Sequence, residues 1–211
     1  MEAAHASVLA NETLRALAIQ TNDIVVDATL GGAGHFGSML ACLGSDGMII
    51  GIDADVAAVE RGRQAYAEDR RPERPIAHLI NDNFRNLERV LERLKVSSVN
   101  AILFDLGWSG YQIAEPRGFS FQKDEPLLMN YSDTGETAAD IVNGASETEL
   151  ADLIYTLGEE HFARGIARSI VAARAESRIL TTGALVNAIL GGTPVWYLSL
   201  IHISEPTRRY A

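Results

Sequence analysis

The chain has little with which to staple or anchor itself. Its single cysteine, Cys42, cannot close an intrachain disulfide. In a helix-like segment it reads as a small core filler rather than a nucleophile, and a reducing, cytoplasmic setting is the default. No stretch approaches about 18 consecutive apolar residues, so no membrane-spanning helix is expected. The start, Met1-Glu2-Ala3-Ala4-His5, is acidic where a secretory leader carries positive charge. Positive charge is scarce throughout: 18 Lys and Arg stand against 28 Asp and Glu, for a net charge of −10. That balance argues against gripping nucleic acid with the whole surface, while leaving room for a local basic face.

What is present is apolar sequence in a regular order. With 47% hydrophobic residues in 211, the chain can bury one good core and a small second domain. The first half alternates short apolar runs with helical patterns, which predicts an α/β fold with a parallel sheet. Asn11 is the expected N-cap of a first helix carrying Leu14, Leu17 and Ala18. Strands are expected at 24–28, 48–53, 76–80 and 101–105, and helices at about 35–43, 56–66 and 84–94. Three of these four strands end in an aspartate: Asp27, Asp53 and Asp105. From 108 to 135 the chain reads as a long loop rich in Gly, Pro, Ser and aromatics. Beyond Thr137 only helical patterns follow: one opened by the capping box Ser146–Glu149, then 159–175 and 182–190.

The segment Val25–Gly37, VVDATLGGAGHFG, satisfies G-x-G-x-x-G with Gly32, Gly34 and Gly37, and Asp53 follows at the distance of a ribose-binding acid. A helix N-terminus behind glycines offers N–H groups to an anion, so a dinucleotide is one reading. The flanking charges favour another. Asp27, Asp53 and Asp105, with Asp55 close by, gather at the carboxyl edge where such sheets bind ligands. Carboxylates there repel a pyrophosphate and suit the sulfonium and ammonium of S-adenosyl-L-methionine (SAM). No Lys or Arg falls between Ala28 and Leu43.

Several stretches together resemble the RsmH (MraW) family of SAM-dependent methyltransferases: His5-Ala6-Ser7-Val8-Leu9, DATLGGAGH from Asp27 to His35, Asn83-Phe84, Phe104-Asp105-Leu106-Gly107 and Arg117-Gly118-Phe119-Ser120-Phe121. Gly158-Glu159-Glu160 followed by Ile166–Ile170 belongs to the same set. The resemblance implies methylation of the N4 amine of a cytidine in the decoding region of 16S rRNA. It implies a class I methyltransferase fold, a Rossmann-like parallel sheet with an inserted all-helical substrate domain. Residues 1–107 would be the first part of the SAM-binding domain, 108–192 a long loop and part of the helical domain, and 193–211 a non-native tail. Carried over by motif, the SAM-binding residues are Ala33, Gly34, His35, Asp53, Phe84, Asp105 and Gln112, with no metal. The candidate acceptor for an N4 hydrogen is Asp105 or a backbone carbonyl of the Leu106-Gly107-Trp108 turn, a purely SAM-binding or structural role being the other reading of Asp105. The implied partner is 16S rRNA in the small ribosomal subunit, without a membrane, and a homodimer stays open.

RNA has two candidate contacts. His161, Arg164, Arg168, Arg174 and Arg178 form either a phosphate-binding stripe or a solvated face paired to Glu159, Glu160 and Glu176. Trp108, Tyr111, Phe119 and Phe121 are candidates to stack a flipped base, and for Phe119 and Phe121 the core is the other reading. The chain departs from the family at Trp108, Gly110, Tyr111, Leu128 and Asn130, all on the substrate side of the resemblance. Leu198–Arg209, LSLIHISEPTRR, reads as translated sequencing adaptor, which predicts a C-terminally truncated family member whose fourth strand lies exposed and whose own folding and activity stay open. Three other functions remain alternatives: a SAM-dependent methyltransferase with another substrate, a non-catalytic ribosome-binding module and, from the glycine pattern alone, an NAD-dependent oxidoreductase.

Overall fold

In the computed structural model, residues 9–107, 110–120, 123–132 and 135–194 are described. The motif His5–Val8, Trp108, Phe121 and the tail from 195 onward lie outside them. The element order is α1 (Ala10–Leu17), β1 (Ile24–Asp27), α2 (Gly34–Cys42), β2 (Met48–Asp53), α3 (Val56–Glu68), β3 (Ile76–Asn81), a 3-10 turn (Phe84–Asn86), α4 (Leu87–Leu94) and β4 (Ala101–Leu103). Five helices follow: α5 (Gly110–Ala114), α6 (Ala138–Gly144), α7 (Glu147–Gly158), α8 (Ala163–Glu176) and α9 (Thr182–Gly192).

The four strands make one parallel sheet in the order β3-β2-β1-β4. Val25 and Val26 are both fully buried, as successive apolar residues are in a strand covered on its two faces. In register, Val25 lies beside Ile49 and Ala101, and Val26 beside Ile50 and Ile102. Pleating then sends them to opposite sides. Val25 and Ile49 pack with Phe36, Met39 and Leu40 of α2, Val59 of α3 and the inner residues Leu14 and Leu17 of α1. Val26, Ile50 and Ile52 pack with Val90, Leu87, Leu91 and Leu94 of α4. The fold is therefore α/β with a Rossmann-like sheet, as the alternating pattern predicted.

The local differences from the sequence expectations have local causes. Helix α1 starts one residue before Asn11, behind a left-handed Leu9 (φ 55°) that makes no side-chain cap. Asn11 is therefore inside the first turn and is not the N-cap. Strand β4 stops at Leu103, so Asp105 lies two residues beyond it, its N–H donating to Thr29 Oγ1 at 2.8 Å. The expected helix at 159–175 begins only at Ala163, because Glu159 takes a left-handed conformation (φ 52°) that ends α7. Within the segment read as loop, Gly110–Ala114 is helical. Strand β4 pairs with β1 along one edge, and Ile102, Phe104 and Leu106 in and after it are exposed.

The chain divides into two compact units: Met1–Ala114 with Tyr131–Asp133, and Glu115–Asn130 with Thr134–Ala211. The second is helical around a core of Leu127, Val142, Leu150, Ile166, Ala167, Ile170 and Ile179. Ser146 and Glu149 form the expected capping box on α7, and Thr137 with Asp140 forms a second one on α6. The Arg117-Gly118-Phe119 turn is held from within this unit. Gly118 has φ 85°, and a Cβ there would meet Pro126 O at 2.7 Å. Its N–H donates to the buried Glu125 at 3.1 Å.

In the first unit, the C-terminal end of α2 is clamped by Arg71. Its guanidinium donates to Leu43 O at 2.7 Å and Leu40 O at 3.0 Å, and to Asp69 Oδ2 at 2.7 Å. The Arg71 guanidinium holds the Asp69 carboxyl at about 2, below its ordinary value of 3.8. Carbonyls left over at a helix end need such donors. Arg71→Ala is expected to cost about 1–2 kcal/mol in denaturant unfolding, discounted for the partial exposure of the side chain. An unchanged midpoint would show the clamp to be idle.

Candidate functional site

Because β2 and β3 are laid down on one side of β1 and β4 on the other, the connections diverge between β1 and β4, the place where such sheets bind ligands. A cavity of about 380 Å³ opens there, a size suited to a small-molecule ligand. The turn Ala28–Gly32 with Gly34 and His35 forms one wall, Asp53 and Ala54 another, and Asn83 and Phe84 a third. Asp105, Leu106, Gly107, Gln112 and Tyr131 complete it.

Six of the seven residues singled out for SAM thus share one cavity: Gly34, His35, Asp53, Phe84, Asp105 and Gln112. Ala33 is not among its lining residues. It is nearly buried and serves as the N-cap of α2 in the left-handed region (φ 62°). The other left-handed residue in this turn is Gly31 (φ 47°). Neither is a glycine of the dinucleotide fingerprint. The third fingerprint glycine is there to let a helix close on a strand, yet a Cβ on Gly37 would meet nothing within 4 Å. The close approach is at Gly51 instead, where a Cβ would stand 2.7 Å from Leu30 Cδ2. Leu30 is seated there, pinning the turn to β2.

Asp53 pins it a second time. Its Oδ2 accepts the Gly31 N–H and its Oδ1 the Asp55 N–H, each at 2.9 Å. A carboxylate has about four lone-pair directions, so two remain for a ligand's hydroxyls. Burial pushes the Asp53 carboxyl above its ordinary value, opposed by these two N–H donors. Asp105 is more open, its side chain 56% exposed, with His35 Nε2 at 3.6 Å from its Oδ2. Phe84 is 42% exposed and so is no core residue. Its ring meets Phe104 edge-on, 5.6 Å between centroids.

Asp27, behind this wall, is fully buried. Its Oδ1 accepts the Thr29 N–H at 3.2 Å, while its Oδ2 has no partner. Burial raises its carboxyl to about 7; Asp53 and Asp105 push it the same way, and the Thr29 N–H opposes them. The field at the cavity is that of clustered carboxylates, and a buried acceptor is left without a donor. A cation with N–H or O–H donors and an aromatic group fits these residues; a pyrophosphate does not.

Sequence reasoning missed Arg61, Thr29 and Tyr131. Arg61 Nε donates to Gly31 O at 2.8 Å, one terminal nitrogen stands 3.4 Å from Asp55 Oδ2, and the guanidinium lies 4.7 Å from the centre of the Tyr111 ring. Nothing local in α3 announces this role, since it takes the packing of α3 against the turn to create it. Of the candidate RNA contacts in the helical unit, Arg174 donates to Val142 O at 2.8 Å and so closes the end of α6. Arg164 and Arg168 are exposed one turn apart, Arg168 with Glu147 at 3.7 Å. Phe119 is half-buried, and Tyr111 is exposed beneath Arg61. Among the described residues no group of three or more His, Cys, Asp or Glu could hold a metal, and no helix is long and apolar enough to cross a membrane.

The raised carboxyl of Asp27 gives a stability test. With a folded value of about 7 against 3.8 ordinarily, the folded state holds a proton that the unfolded chain releases. Its contribution is full below about pH 4 and is lost as pH rises to about 7. Asp27→Asn is therefore expected to flatten the fall in melting temperature between about pH 4 and pH 7. Parallel profiles for the two proteins would contradict it.

Comparison with known proteins gives the site its context. Residues 2–207 match the model of the MraW methylase family. The ribosomal RNA small subunit methyltransferase H of Deinococcus radiodurans is 42% identical over 191 residues, covering 90% of this chain and 58% of that protein. The protein of the same name from Clostridium botulinum (strain Kyoto) is 40% identical over 209 residues, covering 98% and 66%. That of Syntrophotalea carbinolica is 39% identical over 193 residues, covering 90% and 60%. The chain thus spans 58% to 66% of the length of these relatives. A crystal structure of a provisionally assigned rRNA methylase from Clostridium thermocellum aligns with 46% of this chain and 49% of its own, with a TM-score of 0.39 at 21% identity, and carries no argument here. With the family model matching nearly end to end, the chain belongs to the MraW methylase family.

Proposed function

We propose that this protein is a SAM-dependent methyltransferase acting on the N4 amine of a cytidine in the decoding region of 16S rRNA. The observation that carries the donor assignment is the cavity lined by the Asp53 and Asp105 carboxyls, with the buried, half-unpartnered Asp27 carboxyl behind its wall. The substrate assignment rests on family membership and on relatives whose names specify ribosomal RNA of the small subunit.

The residues suit the donor. Asp53 has lone pairs left for ribose hydroxyls, Phe84 gives an apolar wall for a purine, and Gly34 and His35 stand at the N-terminal turn of α2. Bound there, SAM supplies an electrophilic methyl group on a sulfonium. The nucleophile is the harder part, because the cytosine N4 lone pair is delocalised into the ring. An acceptor for one N4 hydrogen returns electron density to that nitrogen and holds it in line with the methyl group. Asp105 meets the geometric needs of that acceptor: it lines the cavity, its carboxylate is open, and its backbone N–H is fixed by Thr29. His35 at 3.6 Å limits where the carboxylate can swing. We further read the helical unit as the substrate-recognition part, with Arg164 and Arg168 toward phosphates.

The test uses small ribosomal subunits, radiolabelled SAM and base-level mapping. The expected product is a methyl group on N4 of one decoding-region cytidine. Label on another base, or calorimetric binding of NAD in place of SAM, would overturn the assignment. Asp105→Asn is expected to lower turnover at least tenfold, about 1.4 kcal/mol in the barrier, with SAM affinity changed far less. Full turnover in that variant would remove Asp105 from the chemistry.

A further inference from the structure

One ionisable group lies directly behind the cavity wall without being part of it. Asp27 is fully buried and does not line the cavity, yet the next residue, Ala28, does. Its Oδ2 is buried and no protein group donates to it, so the protein offers that oxygen nothing to stabilise its ionised form. The two carboxylates that repel that ionised form, Asp53 and Asp105, are both in the cavity wall.

We propose that Asp27 is a proton-exchanging counter-charge that tells a cationic methyl donor from its neutral product. It keeps its proton while the cavity is empty or holds the uncharged thioether, and gives it up to solvent when a sulfonium enters. This rests on the reading of the cavity as a SAM site. The step is a simple dissociation: the Asp27 O–H bond breaks, the proton goes to the buffer, and the carboxylate left behind faces the new positive charge. SAM carries a net charge of about +1 and its demethylated product about 0 at neutral pH, by the ordinary ionisation of their groups.

The surroundings favour this balance. The near charges are Asp53 from the end of β2 and Asp105 from beyond β4, and both keep the Asp27 proton on. The basic side chains nearby are already engaged. Arg61 of α3 is engaged with Gly31 O and the buried Asp55, and His35 of α2 faces Asp105. A positive charge in the cavity acts on Asp27 in the opposite sense to Asp53 and Asp105 and so favours its ionised form. The donor then gains an attraction that the product lacks, so methyl transfer itself weakens the hold on what remains.

Titration calorimetry of the 211-residue chain in buffers of differing ionisation enthalpy reads the proton directly. SAM and sinefungin, which keeps a cationic amine at the sulfonium position, are expected to release close to one proton at about pH 6 and almost none by about pH 9. S-Adenosylhomocysteine is expected to release almost none at either. SAM affinity should rise roughly tenfold between about pH 6 and pH 8 with the product's nearly flat, and both differences should vanish in Asp27→Asn. On the unmutated protein, infrared difference spectra should show a protonated carboxylic acid lost on adding SAM at about pH 6 and retained with the product. SAM binding with equal proton release for donor and product, or without loss of that carboxylic acid, would overturn the counter-charge role while leaving the methyltransferase reading in place. Failure to bind SAM at all would overturn both.

Discussion

Parallel strands deliver all their carboxyl ends to one edge of a sheet, and the site depends on that constraint. In the order β3-β2-β1-β4, the aspartates ending β1 and β2 and the one just past β4 arrive at the same place. Three carboxylates so close would repel one another in any fold that offered them no cation. Here one is tied to backbone N–H groups, one is left open to the cavity, and the third is buried with its carboxyl near 7. The electrostatic demand is thus met unevenly, and the unmet part faces the cavity.

The turn between β1 and α2 is held by packing as much as by hydrogen bonds. Leu30 sits against Gly51, Asp53 takes the Gly31 N–H, and Arg61 takes the Gly31 carbonyl. These contacts come from β2 and α3, so the loop's shape is imposed from outside it. That is why the strained, left-handed Ala33 can persist at the start of α2: surrounding contacts hold a conformation that costs about 1–2 kcal/mol by itself.

The helical unit shows how one residue type divides into different tasks. Arg174 and Arg168 lie on the same helix with the same charge. Arg174 reaches a carbonyl at the end of α6 and is structural, whereas Arg168 stays exposed beside Glu147. In the first unit, Arg71 seals α2 and Arg61 secures the ligand turn. A count of basic residues along the sequence cannot separate these tasks, because each depends on which carbonyl or carboxylate the fold brings within about 3 Å.

The sequence by itself determined the sheet. Apolar runs of four to six residues between helical periods left no other economical arrangement, and the strand-end aspartates were visible as such. It also marked the capping box at Ser146 and six residues that share the cavity, the latter through the family's motifs rather than through periodicity. Boundaries were less legible: Asn11, Asp105 and Glu159, the predicted limits, each sit one to four residues from the observed ones, because left-handed residues and a side chain such as Thr29 stop elements where periodicity does not. Only the tertiary structure decided that the fingerprint glycine Gly37 faces open space, that Arg61 guards the turn, and that Asp27 is buried and half-unpartnered. Those properties belong to distances between residues far apart in the chain. Burial and charge proximity, which set a carboxyl's protonation, arise only when the strands meet.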